Sequence, residues 1–509
     1  MLKTLQKLYR IKLLTPAGLY HLASAIFQSG INLMALLRFA AKLHPENIAL
    51  VDEQEKLTYG DLLTQTEQLT IILRDTYHVT AGKKIAVICR NHAALIKSIF
   101  SVSYAGADMY LLNAEMSSSQ FNALIKQHCF DLIIYDAEVS ALINQSALNH
   151  KAIPAYSPDL PCINSLSKSK TAPGKKIKRS HSGKIIVLTG GTTGDFKTAE
   201  RKPSVINFLD PFFHILVKLN LNDYKSVYIA TPVYHGFGIA SVFMSMISGM
   251  KMFLLPIFDK QKACELIQQH NIEAVTIVPL MLYRILSHDP VALRSLNCII
   301  SGGAALDVKL VEETHNKLGP VLFNLYGTSE AGVCIMATPA DLKYAPNTIG
   351  KAIAGATIRL LDADNKEVTD GLIGRICVNS KWAVKNNDIN WIETGDLGYR
   401  DKAGYYYLCG KMDDRIVSGG ENVYPAELEN ILMKHRDIKH AAVIGISDDE
   451  FGQRLKAFIV PADNSNLHKK EIHHWLSTRA ARFQMPKHIE FLEELPYTAL
   501  GKPDKKGLR

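Results

Sequence analysis

The eight cysteines of this 509-residue chain (Cys89, Cys129, Cys162, Cys264, Cys298, Cys334, Cys377 and Cys409) form no CxxC pair and no paired metal-ligand spacing. That excludes a zinc ribbon and a disulfide scaffold and leads us to expect reduced thiols in a cytoplasmic protein. No internal repeat is present, so a solenoid is excluded. With 47% apolar and 21% charged residues, the composition is neither disordered nor coiled-coil. An unbroken membrane-spanning run is also missing. Residues 13–37 carry no Asp, Glu, Lys or Arg, but Pro16, His21, Gln28, Ser29, Gly30 and Asn32 interrupt them. Ser226 to Met250 is uncharged too, yet Pro232, His235, Gly236 and Gly238 make it read as a buried strand, turn and helix. The closing Leu508-Arg509 is no peroxisomal tripeptide. A cytoplasmic location is expected, with peripheral membrane contact through the basic, amphipathic start that holds Lys3, Lys7, Arg10 and Lys12.

Basic residues exceed acidic ones by nine, a mild surplus suited to phosphate-bearing ligands or an anionic membrane surface. Part of it lies in the run from Lys168 to Lys184, which mixes Lys with Ser, Pro and Gly and reads as a solvated linker. Nucleic acid is not an expected partner. The length allows two to four folding units.

Short β-branched runs alternate with longer helical ones through the middle of the chain. Ile185 to Leu188, Ala274 to Val278 and Cys298 to Ile300 read as buried parallel strands. After Thr348, the runs Thr357 to Leu361, Arg375 to Val378 and Tyr405 to Leu408 suggest an antiparallel, barrel-like part. The tail reads helix, strand, strand, helix, strand. The expected fold is therefore α/β: a large N-terminal domain with parallel-rich sheets and a small β-barrel-like part, then a small mobile α+β lid. We place an N-terminal extension at 1–44, the main domain at 45–412 and the lid at 413–509.

Directly after the first of these strands come Thr189, Gly190, Gly191, Thr192, Thr193, Gly194, Asp195, Phe196 and Lys197. Glycines let backbone N–H groups converge on anionic oxygens, threonine hydroxyls add donors, and Lys197 supplies charge, so the loop suits polyphosphate. It is not a Walker A sequence, because Phe196 precedes the lysine, and on its own such a loop is more often a plain turn. Further along stand Asn324-Leu325-Tyr326-Gly327-Thr328-Ser329-Glu330, then Thr394-Gly395-Asp396, Gly410-Lys411-Met412-Asp413-Asp414, Ser418-Gly419-Gly420-Glu421-Asn422-Val423-Tyr424-Pro425, and a closing Leu500-Gly501-Lys502-Pro503.

In order and spacing these segments resemble the adenylate-forming superfamily of acyl- and aryl-CoA synthetases, luciferases and peptide-synthetase adenylation domains, over roughly residues 45 to 509. The resemblance implies a two-step acid–thiol ligase that uses ATP, Mg²⁺ and CoA. A carboxylate attacks the α-phosphate, pyrophosphate leaves, and a thiol then displaces AMP. By the same resemblance, the Thr189 to Lys197 loop would hold the β- and γ-phosphates and Glu330 would bind Mg²⁺. Gly302, Gly303 and Ala304 would line the adenine pocket, with Asn324 at the amino edge, Tyr326 on the ring face beside Gly327, and Thr328 on the α-phosphate. Asp396 would take the ribose diol, with Lys411 nearby. Lys502 would be the catalytic lysine, and His235, in Pro232-Val233-Tyr234-His235-Gly236, would border the acyl site unless it is a packed core histidine. Asp413 would be the hinge, and Ser418, Gly419, Gly420 and Glu421 would line the pantetheine tunnel.

The chain departs from the family pattern at Gly190, Phe196 and Thr198, where Ser, Pro and Gly are usual, and at Lys411, where Arg is usual. Lysine lacks the planar two-pronged donor of arginine. The expected substrate is a medium- or long-chain fatty acid, with an aryl acid as the alternative and a carrier protein as the alternative acceptor. A non-catalytic nucleotide- or acyl-binding protein is the reading from a different class. Expected partners are the carboxylic acid, ATP and CoA, with a homodimer as the self-association compatible with the sequence.

Overall fold

In a computed structural model the chain is described except for residues 1–8, 10–11, 145–150, 170–176, 178–182, 191–195, 202–204, 381–390, 415, 419–420, 449–450, 464, 499–501 and 509. It divides into two compact units, one of residues 1–277 with 291–299, the other of residues 278–290 with 300–509.

The first unit holds a six-stranded sheet ordered Ala152–Pro154, Leu132–Tyr135, Lys84–Ile88, Asp108–Leu111, Ile185–Gly190, Phe196–Arg201. Every pairing is parallel except the last. All four residues of Leu132–Tyr135 are buried, as a strand covered on both faces requires. A second parallel group in this unit runs Ala274–Ile277, Ser226–Ile229, Lys251–Phe253, Ile48–Val51, with Lys56–Thr58 antiparallel at its edge. The uncharged stretch around residue 235 resolves into the strand Ser226–Ile229 and the helix Gly236–Ile247. No helix among the described residues is long and apolar enough to cross a membrane. All eight cysteines are free, and only Cys129 is exposed.

The second unit contains antiparallel strands ordered Ala356–Leu361, Gly374–Ser380, Ile392–Arg400, Tyr406–Lys411, Thr348–Ala352, Gly332–Ala337, Leu322–Thr328. Its C-terminal sheet is ordered Glu421–Val423, Ile416–Ser418, Gly452–Pro461, Ile438–Asp448, with His488–Phe491 parallel to Gly452–Pro461. The helices Pro425–Met433 and Lys469–Ser477 pack on this sheet through Leu428, Leu432, Ile472 and Leu476 to form a local core with Val443, Leu455 and Ile489. Pro425 opens the first of these helices, where its missing N–H costs nothing. The α/β expectation holds, and the segments read from the sequence lie within the observed elements to a residue or two.

Candidate active site

The strand Leu322–Thr328 and its neighbour Gly332–Ala337 form a hairpin that presents the segment from Asn324 to Glu330. Gly327 is required there, because a Cβ at that position would lie 2.2 Å from the Gly332 carbonyl oxygen. Thr328 Oγ1 accepts from the Ala331 N–H at 3.1 Å and closes the turn. Among the described residues nothing bonds the Glu330 carboxylate, so a hard oxygen ligand suited to Mg²⁺ is available on the turn.

Asp396 reaches this corner from the strand Ile392–Arg400, directly opposite Lys411 of the next strand. Gly395, at φ +75°, supplies the left-handed turn that precedes it. One Asp396 oxygen accepts from the Tyr326 hydroxyl at 2.8 Å, and the other from Lys411 Nζ at 2.9 Å. An ionised carboxylate offers about four acceptor positions, so about two remain, the number that a vicinal diol needs. Burial, then the charge of Asp396, pushes the Tyr326 phenol far up, which keeps it a donor.

Tyr326 and Asn324 are more enclosed than a stacking ring and an edge-reading amide need to be, at 8% and 4% exposure. What the Tyr326 side chain visibly does is fix the carboxylate. Gly302 ends the strand Cys298–Gly302, and Gly303 turns away from it at φ +82°, just before Ala304. Ser301 Oγ, fully buried in that strand, has no partner among the described residues.

Lys502 joins the same corner from the end of the chain. Thr498 N–H donates to its carbonyl at 2.8 Å, and Thr498 Oγ1 accepts from its own N–H at 3.2 Å. The Lys502 side chain is exposed, yet nearby protein atoms partly desolvate its ammonium. That partial desolvation, then repulsion from Lys411, holds its ammonium below the usual lysine range, while Asp396 pulls the other way. Two cations and one carboxylate therefore meet where an incoming phosphate would relieve the repulsion.

His235 and the Thr189 to Lys197 loop belong to the first unit. His235 precedes the helix Gly236–Ile247, half-buried, its ring 4.6 Å from that of Tyr234. Asn91, which sequence reasoning did not single out, holds this segment. Its Oδ1 accepts from Val233 N–H at 2.8 Å, and its amide donates to the Thr231 carbonyl at 2.9 Å. Gly191, Thr192, Thr193 and Gly194 lie outside the described residues. Thr189, Gly190 and Lys197 are placed by their backbone in an antiparallel ladder, with Thr189 opposite Lys197. The glycine-rich segment thus links two paired strands. Asp413 sits in the 3₁₀ turn Met412–Asp414, Ser418 and Glu421 are paired in a small ladder, and Gly419 and Gly420 lie outside the described residues.

Comparison with known proteins decides the family. The profile of the AMP-binding enzyme family matches residues 37–386, and that of the AMP-binding enzyme C-terminal domain matches residues 427–502. The chain belongs to the AMP-binding enzyme family. It is 29% identical to the 2-succinylbenzoate–CoA ligase of Bacillus cereus strain AH820, over 93% of this chain and 97% of that one. To the enzyme of the same name from Bacillus pumilus it is 26% identical, over 92% and 96%. Its fold matches o-succinylbenzoate CoA synthetase from Bacillus subtilis, solved with the acyl-adenylate intermediate, at a TM-score of 0.79, 24% identity and coverage of 93% and 97%. The expectation of an adenylate-forming acid–thiol ligase that uses ATP, Mg²⁺ and CoA stands with that membership.

In an AMP-binding enzyme the Asp396 corner makes a direct prediction. Asp396→Asn keeps the shape but removes the charge that faces two cations. Losing a charge-assisted bond costs about 1.5–3 kcal/mol, roughly 10- to 100-fold in the KM for ATP. Steady-state kinetics at saturating acid measures it, and an unchanged KM would remove Asp396 from nucleotide binding.

Lys309 Nζ donates to the carbonyls of His435 and Ile438, both at 2.5 Å. The His440 ring meets Tyr283 edge-on at 4.9 Å. Burial, then the charge of Lys439, lowers His440 from the usual 6.5 to about 4. A group whose folded pKa is depressed favours folding above its unfolded pKa and loses that contribution as pH falls from 6.5 to about 4. His440→Phe should flatten the acid-side decline by up to about 1.4 kcal/mol per pH unit across that window. Urea titrations of both proteins between those limits test it.

Proposed function

We propose that this AMP-binding enzyme is an ATP-dependent CoA ligase for an aromatic carboxylic acid of the succinylbenzoate kind. One observation carries the acid class: near-full-length relatives are 2-succinylbenzoate–CoA ligases. It replaces the fatty-acid expectation, which rested on the basic, apolar start and on a form of the lid motif common to fatty and aromatic acid ligases.

In this reading, Asp396 accepts from the ribose hydroxyls while Tyr326 and Lys411 hold it in place. Thr328 donates to the α-phosphate, and Lys502 stabilises the charge that develops there as the substrate carboxylate attacks. Glu330 would hold Mg²⁺, which when bound neutralises phosphate charge. His235 heads a helix whose N-terminal end favours an anionic carboxylate. Residues 413–509 would act as the lid, turning about Asp413 after adenylation so that Lys502 leaves and the thiol enters beside Ser418 to Glu421.

Purified protein given ATP, Mg²⁺ and CoA with 2-succinylbenzoate, benzoate, hexanoate and palmitate tests this, with pyrophosphate release and thioester formation as readouts. The aryl acid should exceed the fatty acids by at least about tenfold in kcat/KM. Preference for a fatty acid overturns the substrate class, AMP release indifferent to CoA overturns the acceptor, and no turnover with any acid favours a binding protein.

A further inference from the structure

We propose that the helix Pro16–Ser29 and the residues flanking it form a docking face for an anionic lipid bilayer. Among the described residues, six of the twelve exposed large hydrophobic side chains fall between residues 9 and 31: Tyr9, Leu14, Leu19, Tyr20, Phe27 and Ile31. Leu19 is 50% exposed, Tyr20 70% and Ile31 52%.

This exposure belongs to a fixed element. Thr15 Oγ1 accepts from Gly18 N–H at the start of the helix, and Gly30, at φ +89°, ends it. The inner side packs through Ala25, Leu22 and Ile26 against Ala35, Phe39 and Leu43 of the following helix Leu33–Leu43. Arg38 of that helix donates to Ser29 Oγ at 2.9 Å. Pro16, Leu19, Tyr20, Ala23 and Phe27 are therefore presented outward at helical spacing. Apolar and aromatic side chains on a surface helix match the headgroup level of a bilayer, and the helix is too short to cross one, so it would lie on the surface.

Charge selects the occupant. No Asp or Glu precedes Glu46, whereas Lys3, Lys7, Arg10, Lys12, Arg38 and Lys42 do. Arg38 is already paired with Glu67 at 2.7 Å, and Lys12 and Lys42 are exposed. A helix that is apolar outward, flanked in the chain by the exposed Lys12 and Lys42, with no acidic residue before Glu46, fits an anionic bilayer. A self-complementary protein interface would set these cations against their own copies.

Flotation of the full chain with phosphatidylglycerol/phosphatidylcholine vesicles, and with phosphatidylcholine alone, tests the proposal. The chain should float with the anionic vesicles only. Binding should fall at least about tenfold at about 0.5 M salt, because screening removes the charge contribution. Leu19→Gln/Tyr20→Gln, at solvent-facing helical positions, should reduce the bound fraction by at least about tenfold with thermal unfolding and ligase activity unchanged. Failure to float, equal binding to neutral vesicles, or unchanged binding by the double variant would each overturn the proposal. A vesicle-free dimer by light scattering that the same variant turns into a monomer would assign the face to a second copy and also overturn it. None of these outcomes depends on which acid the enzyme activates.

Discussion

Lys502→Ala should lower acyl-adenylate formation by about 10²–10³-fold, the loss seen when one preorganised charge or donor is removed from a reacting oxygen. Supplied acyl-adenylate and CoA should still form thioester within about threefold of the parent rate, since in the proposed reading the lysine acts only in adenylation. The Lys502 ammonium shares a corner with Lys411 and Asp396, and desolvation followed by Lys411 holds it below the usual lysine range. The protonated form is the working form, so adenylation should decline on the alkaline side before an ordinary lysine would titrate. Lys411→Met removes the like charge, and it should move that decline upward in pH even though it also costs nucleotide affinity. Pyrophosphate release measured from neutral to alkaline pH separates the two effects. Equal loss in both half-reactions of Lys502→Ala would remove the lysine from its assigned step.

Much of this corner was legible because its chemistry is local in sequence. Gly327 is forced by the backbone of its own hairpin, and the Asp396–Lys411 pair follows from the register of adjacent strands. The bond from Tyr326 to Asp396 spans seventy residues, and no local pattern announces it. The antiparallel return at Phe196–Arg201 was hidden for a different reason: three of its six residues, Lys197, Glu200 and Arg201, are charged, which reads as loop. His92 was invisible as well. Its Nδ1 accepts from Leu95 N–H while Nε2 meets Asp136 at 2.8 Å, so although Cys89 lies nearby, both ring nitrogens are already committed to capping and cross-linking. The helix Ala93–Ala105 does contain a signal that reading for motifs passes over. A single lysine in thirteen otherwise uncharged residues argues that the helix has no solvent face, and every residue in it is buried.

That lysine should give the largest stability change of any substitution considered. Lys97 is 0% exposed, and its Nζ donates among Glu55 Oε1 at 2.8 Å, Gln65 at 3.1 Å, Ser167 at 3.1 Å and Asn164 at 3.2 Å. Burial pulls its pKa down and Glu55 resists. Lys97→Met has nearly the same volume and removes only the charge and its donors. It should cost about 3–5 kcal/mol in urea unfolding at neutral pH, because Glu55 is left buried with only Lys168 nearby. Lys168 meets the other Glu55 oxygen at 3.1 Å from a half-exposed position, where water weakens its attraction. If the cost is the stranded carboxylate, Lys97→Met/Glu55→Gln should recover more than half of it, since a neutral amide can share hydrogen bonds with Gln65 and Asn164. If the cost is instead the lost attraction, the double variant should be no more stable than the single one. The two outcomes differ by about 2 kcal/mol, well within what denaturant titration resolves, and they decide whether this buried ion stabilises the fold or is only tolerated by it.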